Sequence, residues 1–228
     1  MTTPPVDDPE ALRHILGQAD ALFLDFDGPV CDLFAGLPAS AVVDQLCVVL
    51  ADGGYGDPPP EIEKSSDPFD VLKYAATLGE TEADYVNAAF TALETEAVAT
   101  ARPTRGAHDL VRNWSSTGRQ LAIVSNNSKA AVEAYLVLHD LGRFVAYVSA
   151  RQWADSRLLK PSPHLLNDAL RTLHFVASNA VFIGDSVSDI EAARAVGVMS
   201  IGYASKAAKI ESLSVAGPAA VTTTMVGV

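Results

Sequence analysis

Two aspartates one residue apart, Asp25 and Asp27, end the apolar run ALFL at residues 21–24. Carboxylates paired at the end of a buried strand repel each other and lose hydration, so they call for a compensating positive charge. A divalent cation resolves the repulsion. Mg²⁺ takes one or two carboxylates, keeps several waters and bridges to a substrate phosphate; Asp185, with Asp189 one helical turn on, can complete such a site. Gly28 lets the backbone turn tightly beneath a ligand. A calcium loop also begins D-x-D, but here its sixth position is Val30 rather than Gly and its twelfth is Gly36 rather than Glu.

With metal and phosphate in place, one carboxylate can attack phosphorus while the second gives a proton to the leaving oxygen and later takes one from water. Phosphoryl transfer also needs donors on the equatorial oxygens. Ser125 with the backbone N–H of Asn126, and Lys160 in LLKPSP, can supply them. Pro161 keeps a helix from starting before Lys160, which frees that side chain to enter the site.

These residues need elements that bring them together. Three short apolar runs, ALFL before Asp25, LAIV before Ser125 and AVFIG before Asp185, lack polar alternation and suit strands buried on both faces. Helical patterns lie between them, including SKAAVEAYLVL from 128 and SDIEAARAVG from 188, with Ser128 and Ser188 as caps and Gly197 at an end. The fold class is therefore α/β with a Rossmann-like parallel sheet, whose strand ends bring Asp25, Ser125 and Asp185 to one edge. Another helix is expected at the N-terminus, from Asp8–Pro9 to Gly17, and AVTTTMVGV at the C-terminus reads as a last short strand with a frayed end.

After Asp32 the pattern changes. Helical spacing covers 39–50, 68–78 and 81–100, with the break GGYGDPPP after the first, and no strand pattern intervenes. This reads as a small helical bundle over 33–101 inserted into a core formed by 1–32 and 102–228. Asp32 is expected to cap the first inserted helix.

The net charge of −12 is uneven: residues 33–101 hold twelve acidic and two basic side chains, so ten of the twelve excess negative charges lie there. Nucleic acid is disfavoured as a partner, because phosphate backbones are bound by clustered Lys and Arg. No apolar run reaches the roughly 18 residues of a membrane span. Cys31 and Cys47 form no disulfide framework or metal cluster and read as packing residues. With no basic start or apolar signal core, the expected location is the cytoplasm.

In order and separation, DFDGPVCD, VSNN, KPSP and GDSVSD resemble the four motifs of the haloacid dehalogenase superfamily of phosphatases, from Leu22 to Asp189. The insertion resembles the helical type-1 cap of phosphoglycolate-phosphatase-like members. The resemblance implies that Asp25 is the nucleophile, Asp27 the general acid/base, and Ser125, Asn126 and Lys160 the phosphate-binding set. It also implies that Mg²⁺ is held by Asp25, the main-chain carbonyl of Asp27 and Asp185, with Asp189 either a ligand or a partner that orients the ligands. Pro29 is a departure, removing a backbone N–H where the family usually has Thr or Val. The implied activity is Mg²⁺-dependent hydrolysis of a small phosphorylated metabolite through an aspartyl phosphate. A dehalogenase needs no acid at Asp27, and a phosphonatase replaces it and adds a Schiff-base lysine. A sugar phosphomutase using the same groups stays open; a non-catalytic binding scaffold has no need of both nucleophile and acid. The acidity of the insertion is either a solvated surface or a bias in the pocket. In the second case the region near 52–64 lines the pocket, only Lys64 and Lys73, with Arg102 and Arg105 at the return, meet a second anion, and neutral or amine-bearing monophosphates outcompete bisphosphates and phosphoglycolate.

Overall fold

In a computed structural model, residues 3–55 and 58–228 are described. Asp8 opens α1 (Pro9–Gly17), its carboxylate accepting the N–H groups of Glu10 and Ala11. β1 (Ala21–Leu24) leads to the two-residue β2 (Cys31–Asp32), and four helices follow: α2 (Ala39–Asp52), α3 (Pro60–Glu63), α4 (Pro68–Leu78) and α5 (Glu80–Ala97). The chain returns through β3 (Arg102–Pro103), antiparallel to β2, into α6 (Ala107–Ser116), β4 (Gln120–Ser128) and α7 (Lys129–Leu138). It ends with β5 (Tyr147–Arg151), α8 (His164–Leu173), β6 (Ala180–Gly184), α9 (Val187–Val196), β7 (Met199–Tyr203), α10 (Ala208–Ala216) and β8 (Ala220–Thr222).

Six strands form one parallel sheet in the order β5-β4-β1-β6-β7-β8, confirming the α/β class. β1 is central, and Leu24 stands level with Ile123 of β4 and Ile183 of β6. The carboxyl ends of these three strands thus share one edge, and with them Asp25, Ser125 and Asp185. All four residues of β1 are buried because successive side chains enter opposite layers. Leu22 and Leu24 pack with Trp114 and Tyr135 beneath α6 and α7, while Ala21 and Phe23 pack with Phe182 and Leu166 beneath α8 and α9.

Between β2 and β3, helices α2, α4 and α5 bury their own cluster, including Val42, Leu46, Leu50, Leu72, Val86 and Phe90, as the helical spacing predicts. Leu159, from the loop before Lys160, joins that cluster. Of the break GGYGDPPP, Gly56 and Asp57 lie outside the described residues.

Three local expectations are corrected. Asp32 is exposed in β2, six residues short of Pro38, the residue that precedes α2. A strand pairing with β3 has taken the place of the cap. α9 starts two residues earlier than the sequence pattern suggests: Ser186, not Ser188, is its cap, in a reciprocal capping box with Asp189. The tail beyond β8 does not fray, because Met225 is 1% exposed within the main core.

Met225→Ala should therefore lower stability by about 2–5 kcal/mol, the usual cost of truncating a buried methionine. Urea unfolding checks it; a frayed tail would leave the midpoint unchanged.

Candidate active site

Asp25 follows β1 and extends its ladder, donating its N–H to the carbonyl of Ile183 at 2.9 Å. Its Oδ1 accepts from the Phe26 N–H at 2.7 Å and meets Lys160 Nζ at 2.8 Å. The chain then turns sharply. Gly28 has φ +108°, and a Cβ there would sit 2.5 Å from the Asp185 carboxylate, so no other residue fits without displacement. The turn is closed by N–H donation from Val30 and Cys31 to the Phe26 carbonyl, each at 3.1 Å, and from Gly28 to Cys31 at 2.6 Å. None of these bonds uses position 29, so Pro29 removes a donor that the turn does not need. Asp27 Oδ1 accepts the Leu33 N–H at 2.9 Å, fixing the second carboxylate across the same turn.

β4 contributes an irregular turn between Ser125 and Ser128. The Ser125 hydroxyl donates to Asn127 Oδ1 at 3.1 Å, and the Asn127 N–H returns to Ser125 Oγ at 3.3 Å. Asn126 grips the backbone of Lys160, accepting its N–H on Oδ1 at 2.8 Å and donating from Nδ2 to its carbonyl at 3.2 Å. The side chain of Asn126 thereby aims Lys160, a role the sequence reading did not give it. Lys160 Nζ is buried against Asp25, the Val124 carbonyl at 3.1 Å and Asp189 Oδ1 at 2.6 Å. Burial opposes its charge, but the Asp189 and Asp25 carboxylates outweigh that and hold the ammonium above its ordinary value.

Asp185 follows β6 and is hydrogen-bonded through Oδ2 by Lys209 Nζ. Asp189 lies behind it, fully buried. Its Oδ2 accepts the N–H groups of Asp185 and Ser186, each at 3.0 Å, and the Ser186 hydroxyl at 2.7 Å. Gly184 is required by that close approach, since a Cβ would overlap the Asp189 carboxylate. Asp189 therefore braces the loop that carries Asp185 and anchors Lys160.

Asp25, Asp27, Ser125, Lys160 and Asp185 face one cavity of about 610 Å³. Asp67, Phe69 and Lys73 cover it from α4 and its cap, and Arg157 enters from the loop after β5. Among the described residues the 52–64 region, Arg102 and Arg105 do not line it, which corrects that expectation: α3 and β3 lie elsewhere, and α4 faces the strand ends. Arg157, in the loop after β5, and Lys209, in the first turn of α10, were missed because a single cation carries no periodicity or motif.

The site is short of positive charge. Burial pushes the Asp25 carboxyl up to about 7 against the pull of Lys160, and Asp189 and Asp185 push the same way. Burial, with Asp185 and Asp32 adding to it against the Leu33 hydrogen bond, pushes Asp27 up to about 7 as well. Burial also raises Asp185 despite Lys209. One oxygen from each of Asp25, Asp185 and Asp189 lies within 4.8 Å of the others. An all-oxygen donor set with uncompensated negative charge fits a hard divalent cation such as Mg²⁺.

The sequence pattern of haloacid dehalogenase-like hydrolases matches residues 64–203, well over half of the chain. The chain belongs to this family. A phosphoglycolate phosphatase of Pseudomonas savastanoi pv. phaseolicola is 30% identical over 102 residues, covering 43% of this chain and 37% of that protein. A probable phosphoglycolate phosphatase of Pseudomonas savastanoi is 33% identical over 90 residues, covering 38% of this chain and 55% of its own length. The matched stretch is thus about a third to a half of these relatives. In fold the chain is similar to a predicted phosphoglycolate phosphatase from Haemophilus somnus 129PT, with TM-score 0.65, 16% identity and coverage of 92% and 96% of the two chains. It is also similar to CbbY from Rhodobacter sphaeroides in complex with phosphate, with TM-score 0.62, 20% identity and coverage of 81% and 86%. Among the described residues no helix is long and apolar enough to cross a membrane.

The bracing role of Asp189 has a test with a sign. Asp189→Ala, unfolded in urea without divalent metal, should be less stable by about 3–5 kcal/mol, because buried Lys160 loses a partner and α9 its capping box. Were Asp189 only one more repelling carboxylate, its removal would stabilise the metal-free protein.

Proposed function

We propose that this chain is a Mg²⁺-dependent phosphatase that hydrolyses small organic phosphate monoesters through an aspartyl phosphate on Asp25. The observation that carries the reading is the meeting of Asp25, Asp27 and Lys160 in one cavity capped by the 33–101 helices. Asp25, the main-chain carbonyl of Asp27 and Asp185 would hold the cation, with Asp189 behind them. When bound, Mg²⁺ supplies charge neutralisation between the carboxylates and an incoming phosphate dianion.

The residues of the chain divide the remaining work. Both polar contacts of the Asp25 side chain go to Oδ1, which leaves Oδ2 to attack phosphorus. Ser125, its hydroxyl turning from Asn127 Oδ1, and Lys160, giving up one of its three present acceptors, donate to the phosphoryl oxygens, where charge gathers in the transition state. Asp27, with its carboxyl pushed up to about 7 by burial, can carry a proton near neutral pH. It gives that proton to the leaving oxygen as the ester bond breaks. It then takes one from the water that forms the new P–O bond and releases Asp25 with inorganic phosphate. The covering helices exclude bulk water during the first step.

A phosphate-release assay over a panel of monophosphates tests the reading. Release should require Mg²⁺, stop on chelation and fall more than about 10³-fold in Asp25→Asn, an amide being a poor nucleophile. Activity of that variant within tenfold of the parent, with normal circular dichroism, overturns it. Transfer to a sugar hydroxyl without phosphate release indicates a mutase instead.

The cavity lining also revises the charge argument. Beyond the four groups nearest the chemistry, Asp25, Asp27, Lys160 and Asp185, its charged residues are Asp67, Lys73 and Arg157, one negative and two positive. The acidic excess of the insertion lies mainly on its outer surface, so a second anionic group on the substrate is accepted. Lys73 and Arg157 pair with Asp70 and Asp155 at exposed positions, and such pairs exchange partners at little cost. Arg157→Ala should lower kcat/KM for a carboxylated ester such as phosphoglycolate by about two- to fivefold relative to a neutral sugar phosphate, less so at high salt. Equal losses on both substrates would remove Arg157 from substrate recognition.

A further inference from the structure

A buried ion pair joins the inserted helices to the turn that carries Ser125. Glu94 of α5 and Arg151 at the end of β5 meet at 2.5 Å, with side chains 0% and 1% exposed. Arg151 does more than pair. Its Nε donates to the Asn126 carbonyl at 3.1 Å, and its Nη1 reaches Asn87 Oδ1 and, at 3.5 Å, Thr91 Oγ1. Asn87, Thr91 and Glu94 are spaced four and three residues apart, so one face of α5 is held over two turns. The guanidinium also lies 4.6 Å from the Phe90 ring, and Phe90 packs edge-on with Phe69, which lines the active-site cavity.

Glu94 completes the link. Its Oε1 accepts Asn127 Nδ2 at 3.0 Å and its Oε2 accepts the Ser128 N–H at 3.0 Å. A carboxylate can only accept, so the Asn127 amide must turn its nitrogen to Glu94 and its oxygen to the Ser125 hydroxyl. The carbonyl that Arg151 holds belongs to Asn126, whose side chain grips the Lys160 backbone.

We propose that Arg151, acting with Glu94, is a positioning residue: it clamps α5 onto the 125–128 turn and so fixes the placement of that turn and of Lys160 for phosphate. An ordinary packing role accounts poorly for this arrangement. A buried ion pair usually stabilises no more than an apolar pair of the same size, so an interface needing only cohesion gains little from one. Here the hydrogen bonds run towards the phosphate-binding turn from both members. The planar fork of arginine reaches α5 and the Asn126 carbonyl together, which a lysine cannot do. Seating of the inserted helices and readiness to bind phosphate are thereby one event. The inference rests on the phosphatase reading for the ligand, but not for the clamp.

The experiment compares the parent with Arg151→Lys and with the double variant Glu94→Leu/Arg151→Met. It measures thermal midpoint, inhibition of p-nitrophenyl phosphate turnover by inorganic phosphate, and amide hydrogen exchange at 126–128. The double variant removes both charges but leaves the Ser128 N–H, the Asn127 amide and the Asn126 carbonyl without these partners, so its midpoint should fall while the protein stays folded at the assay temperature. Its phosphate inhibition constant should rise about tenfold or more, with faster exchange in the turn, because a loosened constellation loses affinity and rate together. Arg151→Lys, which keeps the charge but not the fork, should show a smaller rise in the same constant. A parent-like inhibition constant and exchange rate in both variants overturns the clamp, and if the double variant does not fold, Arg151→Lys decides alone. A parent that neither turns over the ester nor binds phosphate defeats the phosphatase reading instead, and the exchange rates then decide the clamp separately.

Discussion

Everything at the strand edge depends on one buried ammonium. Lys160 sits with its side chain 2% exposed between Asp25 and Asp189, a position in which any of the three charges alone would be untenable. Its partners come from the ends of β1 and α9, and its backbone is held by Asn126 from β4. Four separate segments are thus tied by a single group, and the sheet register must bring their ends level for the contacts to exist. The arrangement is still unbalanced. At the strand ends two lysines, Lys160 and Lys209, face four carboxylates, Asp25, Asp27, Asp185 and Asp189, and burial presses the Asp25 and Asp27 carboxyls up to about 7. That imbalance favours a divalent cation and a proton-carrying acid in the same place, which are the two requirements of phosphoryl transfer on an aspartate.

Much of this was legible because it obeys local rules. ALFL, LAIV and AVFIG are buried on both faces, so their apolar runs read directly as parallel strands. The long helices of the insertion follow from apolar spacing alone. What escaped the sequence depends on where elements meet. β2 and β3 are two residues each and are defined only by facing one another, so Asp32 read as a cap. Ser186 and Ser188 are equal candidates until the reciprocal bond with Asp189 selects one. Arg151, Arg157 and Lys209 have no periodic or motif context, and their partners lie tens of residues away along the chain, except that Arg157 pairs with Asp155 beside it. Reading the charge of the insertion as a total also misled, because the side of the bundle that faces the strand ends differs in composition from the whole.

The two sides of the inserted bundle are attached in physically different ways. On the α5 side, Glu94 and Arg151 are dry and fully bonded, and the N–H of Ser128 also ends on Glu94. Separating them would strand buried charge, so this contact breaks as a unit or not at all. On the α4 side the polar contacts are exposed pairs, Lys73 with Asp70 and Arg157 with Asp155, each within its own segment rather than across the gap. A second cavity of about 590 Å³ lies there between α4, α5 and the loop at 153–157, adjoining the first through Lys73, Ser156 and Arg157. The side that no buried hydrogen bond crosses among the described residues is therefore the side with open volume beside the first cavity. The bonded side ties the 125–128 turn to α5 through Glu94 and Arg151.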